Sequence, residues 1–159
     1  LLPVPKSLRY PFVGDGGSDG LCLTRRVLER YLPMLTPSGA IEFVGCALGR
    51  DGDFGFVRSL DRICRARGAG GRVNILGKAP LRPGAPFYDC FVHTLAAYNG
   101  LPTTFCYQVC AVQWEQLKVN ETYLFFARVD RRPVRRGLRV LDLSGPACHW
   151  FLSTPIVVK

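Results

Sequence analysis

From Leu21 onward apolar side chains recur at helical spacing: Leu23, Val27, Leu28, Tyr31, Leu32 and Leu35 fall on one stripe, with polar residues between them. Asp19 or Ser18 stands where a capping oxygen is expected, and Pro33 with Thr36-Pro37-Ser38-Gly39 stops the helix. Ala40 to Leu48 is a continuous, mostly apolar run of strand length, the pattern of a strand covered on both faces. After Gly49-Arg50-Asp51-Gly52 a second helix is predicted, with Phe56, Val57, Leu60, Ile63 and Cys64 on its apolar face and Arg58, Asp61, Arg62 and Arg65 on its polar one. Gly68 to Gly71 ends it, and Arg72 to Lys78 reads as another strand. Helix, strand, helix, strand with short glycine-rich connections predicts a doubly wound α/β sheet that is parallel through this region.

The rhythm then breaks. Pro80, Pro83 and Pro86 interrupt the chain, Phe87 to Asn99 reads as a helix, Gly100-Leu101-Pro102 turns, and a further helix is expected from about Thr104 to Val119. Thr122 to Val129, rich in aromatic and β-branched residues, is the strongest strand signal. Arg131 to Gly137 is a basic turn, and Leu138 to Leu143 is expected to pair with the preceding strand as a hairpin. Before the first helix, Gly14 to Gly20 is too polar and flexible for regular structure and is a loop, while Pro146 and Pro155 limit regular structure near the end.

With 159 residues, 48% of them hydrophobic and 21% charged, the chain is expected to form one globular domain, and no internal repeat is present. Lys and Arg number 21 against 12 Asp and Glu, giving +9. Such a balance serves either phosphate contacts with nucleic acid or a solvated basic face, and the second is favoured because global charge governs non-specific affinity. The seven cysteines are an odd number, so they cannot all pair within the chain, and no Cys-x-x-Cys occurs. Cys22, Cys46 and Cys64 lie in apolar stretches, which points to buried thiols and to the reducing cytoplasm. Cys106 and Cys110 share a helical spacing but lack histidines at zinc spacing, so no metal is expected. No apolar stretch reaches the ~20 residues that span a bilayer, and the opening LLPVPK lacks the pattern of a signal peptide. Asn120-Glu121-Thr122 matches a glycosylation acceptor but carries no weight in a cytoplasmic protein.

Four features compete as chemistry. The Gly14–Gly20 loop has no Lys followed by Ser or Thr and no preceding strand, so it is not a phosphate loop. His93 and His149, with Cys90 or Asp89, offer a nucleophile and base, and Cys90 and His93 are placed to touch on one helix; structural roles are favoured for them. Asp51, Asp53 and Asp61 suit helix capping and solvation better than a metal, and Arg131, Arg132, Arg135 and Arg136 form a positive tip.

Residues 14 to 45 carry a more specific likeness. Gly16-Gly17-Ser18-Asp19-Gly20-Leu21, the helix to Leu35, Pro37-Ser38-Gly39 and the strand from Ala40 to Leu48 resemble the segment of class I S-adenosylmethionine-dependent methyltransferases that follows their fourth strand. Protein-glutamine N5-methyltransferases and related small-molecule methyltransferases share this Gly-Gly-x-Asp-Gly-Leu loop. The likeness extends through Lys78, and Thr122 to Val129 falls where the family's antiparallel seventh strand should be. It implies that residues 1–159 are the C-terminal part of one methyltransferase catalytic domain. Within it, 1–20 is a substrate-side loop, 21–78 helix-strand-helix-strand, 79–121 a helical insertion and 122–159 the terminal strands.

The implied fold is a partial doubly wound Rossmann-like sheet, mostly parallel with an antiparallel strand near the C-terminus. The implied activity is methyl transfer from S-adenosylmethionine to a small molecule or a protein glutamine, the chain supplying the substrate side and being inactive alone. Arg9, Tyr10 and Asp15 are the residues nearest the acceptor by position. The family's Asn-Pro-Pro-Tyr or Asn-Pro-Pro-Phe element and its cofactor loop do not occur in this sequence, so no residue is assigned to catalysis or to the cofactor. The aromatic insertion is expected to be a cover over the substrate or an enlarged core, and the edge where a fourth strand belongs is expected to make the chain aggregation-prone. The alternatives are an RNA or DNA methyltransferase and a non-enzymatic basic binding module.

Overall fold

The computed structural model describes residues 2–10 and 16–145. Asp15, Cys148, His149 and the prolines at 146 and 155 lie outside the described residues. Eight regular elements follow one another: α1 (Cys22–Tyr31), β1 (Ala40–Gly49), α2 (Gly55–Ala66), β2 (Gly70–Pro80), α3 (Pro86–Asn99), α4 (Thr103–Leu117), β3 (Glu121–Asp130) and β4 (Gly137–Asp142). A short 3-10 turn, Leu32–Met34, extends α1 up to the predicted stop. Pro86 opens α3 at a position that has no helical N–H bond to lose. Gly100, at φ 63°, ends it in the left-handed conformation that glycine adopts without a Cβ clash.

The four strands form one sheet in the order β1-β3-β2-β4. β3 lies antiparallel to β1 through ten registered pairs from Ala40↔Asp130 to Gly49↔Glu121, and antiparallel to β2 on its other side. Only β2 and β4 are parallel. The expectation of a mostly parallel, doubly wound Rossmann-like sheet is therefore overturned. Both β1 and β2 run opposite to β3, so they do run the same way, as a helical crossover requires. They are not neighbours, however, because β3 occupies the space between them. The strand-helix-strand rhythm encodes direction and leaves adjacency open.

The expected hairpin of the last two strands is also overturned. Both edges of β3 are already taken, and β4 crosses the start of β2 to pair on its far side. That crossing is tight: a Cβ on Gly70 would sit 2.5 Å from the Gly137 carbonyl oxygen and 2.6 Å from that of Arg135. Gly137 itself turns at φ 89°, and its N–H donates to the Ala69 carbonyl.

Two apolar cores sit on opposite faces. Leu28, Leu32, Phe56, Val57, Leu60 and Cys64 pack against Ala47, Val73, Ile75, Tyr123, Phe125, Ala127 and Val129 of the sheet. α2 presents the face the sequence predicts, each fully buried Leu or Phe contributing about 2 kcal/mol. Leu48, next to Ala47 and hence pointing the other way, joins Val4, Leu8, Tyr88, Phe91, Val92, Leu95, Cys106, Cys110 and Trp114 in the second core. β1 is buried from Gly45 to Gly49 only; Glu42 and Val44 are exposed, so its covering on both faces is confined to its second half.

Candidate functional site

The glycine loop and the N-terminal segment are built together. Gly16 N–H donates to the Leu2 carbonyl, Val4 N–H to that of Gly17, Gly20 N–H to that of Gly17 and Cys22 N–H to that of Gly16. A Cβ at Gly16 would lie 2.6 Å from the Gly20 carbonyl oxygen, so the loop closes on itself only with glycine there. Asp19 does not cap α1 as its N-terminal residue. Its Oδ1 accepts from the Leu21 N–H at 3.1 Å, and its carboxylate holds the Arg25 guanidinium at 2.7 and 3.0 Å.

This closed loop holds residues 2–10 against α3. Asn99 is the fastener: its Oδ1 accepts from the Arg9 N–H at 2.9 Å, and its Nδ2 donates to the Arg9 carbonyl at 2.8 Å and the Leu95 carbonyl at 2.7 Å. Tyr10 tilts onto Phe91, ring centroids 5.6 Å apart, beside Cys90 and Thr94. Burial, reinforced by Cys90, raises its phenol above the ordinary tyrosine value, so at neutral pH it is a hydrogen-bonding hydroxyl and not a base. The Arg9 side chain is exposed and makes no ion pair among the described residues. Two of the three predicted acceptor residues thus stand side by side on α3; Asp15 lies outside the described residues.

The aromatic insertion is mainly core. Phe87, Tyr88, Phe91 and Trp114 are buried, whereas Tyr98 and Phe105 face solvent. Cys90 and His93 are both exposed on α3, and the ring of His93 meets the edge of Tyr107 at 6.4 Å. Tyr107 in turn donates to Asp89 at 2.6 Å, and Asp89 accepts from the Gly84 N–H. These contacts engage Asp89 and His93 structurally. The buried thiols of Cys64 and Cys110 are pushed up to about 12, by burial first and then by Asp61 and Cys106 respectively, which makes them inert.

Each predicted acidic residue has a partner. Asp53 grips Arg58 at 2.9 and 3.0 Å, and Asp61 pairs with Arg65 and accepts from the Leu138 N–H at 2.6 Å. Asp51 accepts from Asn120 at 2.7 Å, and that bond with Arg50 beside it holds its carboxyl below the usual range. Glu121 accepts from the Tyr123 hydroxyl, which itself accepts from the Gly52 N–H at 3.0 Å. This polar knot where β1 ends and β3 begins was not foreseen, because Asp51 and Asn120 are far apart in sequence. No group of three or more His, Cys, Asp or Glu able to hold a metal occurs among the described residues. Thr122 is buried, donating to the Ala47 carbonyl, and Asn120 is engaged with Asp51, so the glycosylation triplet is a packed strand start.

The arginine run divides. Arg131 donates to the Arg67 carbonyl at 2.7 Å. Arg135 joins Gly71, Arg72, Arg128, Asp130, Pro133, Val134 and Arg139 around an open groove of about 510 Å³. The arginine-lined groove does not suit S-adenosylmethionine, because its guanidinium groups repel a sulfonium, and the Gly16 and Gly20 amides of the glycine loop are already bonded to the Leu2 and Gly17 carbonyls.

No family model matches the chain, and no curated protein matches it. Among the described residues no helix is long and apolar enough to cross a membrane.

Proposed function

We propose that this chain supplies the acceptor side of a methyltransferase that uses S-adenosylmethionine, with a small molecule or a protein glutamine as acceptor. The observation that carries the reading is the Gly16–Leu21 loop. Locked by Asp19 and Arg25, it bonds to Leu2 and Val4 of the segment whose Arg9 backbone is fastened to α3 by Asn99 and whose Tyr10 packs against the core that also holds Leu48. The antiparallel course of β3 agrees with the strand that the resemblance implies for Thr122 to Val129.

The chain's own residues have two tasks in this reading. Arg9 offers a guanidinium to an anionic part of the acceptor, and Tyr10 offers a hydroxyl to orient the group that is methylated. The cofactor supplies the methyl group and is held by residues other than those described.

The test is calorimetric. S-adenosylmethionine is titrated into the 159-residue chain and, separately, into the complete product of its gene. Saturable binding by the complete product and none by the chain is expected; no binding by either ends the methyl-transfer reading.

A further inference from the structure

Register, not sequence proximity, assembles the second basic feature. Arg128 of β3 faces Arg72 of β2, and Arg72 faces Arg139 of β4. Three guanidinium-bearing positions therefore lie in one row across adjacent strands, each about 5 Å from the next. Like charges set directly opposite one another destabilise a sheet. Arg128 is relieved by Glu42 at 2.8 Å and Asp130 at 2.9 Å. Arg72, Arg139 and Arg135 are exposed and make no ion pair among the described residues. The connection from β3 to β4 folds over this row, so that Arg135, Pro133 and Val134 complete the groove wall.

We infer that the groove formed by Arg72, Arg128, Arg135 and Arg139 binds the phosphodiester backbone of a nucleic acid strand. Residues 128–139 contain six arginines and one aspartate, so the positive run continues beyond the groove through Arg131, Arg132 and Arg136. A repeated anion matches that run; a single phosphate would leave most of it unused. The groove is concave, which suits a thread-like polymer and not a flat bilayer. Its basic residues are all arginine, whose planar fork engages phosphate oxygens in pairs. It has no aromatic lining residue, so contacts are to phosphates and not to stacked bases, and binding is indifferent to sequence. The inference does not depend on methyl transfer, since binding is read without cofactor.

The experiment is fluorescence anisotropy of the chain with labelled single-stranded RNA, single-stranded DNA and duplex DNA, from 50 to 200 mM KCl. With Arg128 held by Glu42 and Asp130, three phosphates neutralised by Arg72, Arg135 and Arg139 predict a slope of about −2 in log K against log salt for single strands, an affinity loss of about 20-fold across that range. In Arg72→Ala/Arg139→Ala the slope should fall in magnitude by about 1.4 and the affinity drop more than tenfold. The control Arg26→Ala/Arg62→Ala, which removes the same charge from α1 and α2, should stay within about threefold. The groove variant should also melt at or above the parent temperature, because like-charge crowding is relieved, so weaker binding cannot come from misfolding. No binding by the parent, an unchanged slope in the groove variant, an equal loss in the control, or binding only to a phosphoserine peptide or phosphatidylserine vesicles would each overturn the assignment.

Discussion

Asn74 lies on β2 between Phe126 and Leu141, and its buried Oδ1 accepts no hydrogen bond among the described residues. An unsatisfied buried acceptor costs more than an apolar group of similar size at a strand position. Asn74→Val should therefore raise the unfolding free energy by about 1 kcal/mol, read as a higher urea midpoint. A lower midpoint would show that the amide holds a partner. Cys64 and Cys110 set an alkaline limit. Both thiols are raised from 9.0 to about 12, so they stay protonated in the fold where the unfolded chain ionises. Their contribution is complete below pH 9 and is lost as pH rises towards 12. Urea midpoints should fall from pH 9 upward, and less steeply in Cys64→Ala/Cys110→Ala; equal slopes would refute the assignment. The burial of Cys46 and Cys64 was legible in the sequence, because a cysteine at an apolar-periodic position packs as a small hydrophobe. The role of Asn99 was not: its bonds to Arg9 span ninety positions, and no local pattern encodes them.

Among elements, β1 is the exposed edge of the sheet, paired only with β3 among the described residues. Its one charged side chain is Glu42, and Val44 is 61% exposed. Long apolar edges template further strands, and lysine is a common guard against it. Val44→Lys should lower light scattering on concentration while leaving the melting temperature nearly unchanged. If the parent chain scatters no more than the variant, this edge is not sticky. At the opposite side of the sheet, Gly70→Ala should cost about 3 kcal/mol, because the new Cβ meets the backbone of the β3–β4 crossing. A loss under about 0.5 kcal/mol in a urea melt would mean that the crossing yields. Helix and strand extents were readable to within a few residues from periodicity, proline and glycine. Sheet order was not readable, because an apolar run such as Thr122 to Val129 states that it will be buried and not between which neighbours.

At the scale of the whole molecule, the sheet separates two tasks. One face is closed by α1 and α2, while the other is closed by α3, α4 and residues 2–10 beside Leu48 and carries the arginine row where Glu42 and Arg72 lie open. Arg9 and Tyr10 were singled out in the sequence by their position before the glycine loop, whereas the alignment of Arg72, Arg128 and Arg139 exists only once three strands are in register. The central place of β3 has a further consequence, in time. Every ladder in the sheet includes β3 or β4, so nothing made before residue 121 can pair as a strand. On a ribosome adding about 5–20 residues per second, β1 and β2 wait several seconds, accompanied only by helices, until their shared partner emerges. A chain stopped at Asn120 should show helical but no sheet signal by circular dichroism. Synthesis order thus makes the last quarter of the chain the step that commits the rest to fold, and the interval before it the period when a chaperone has most to hold.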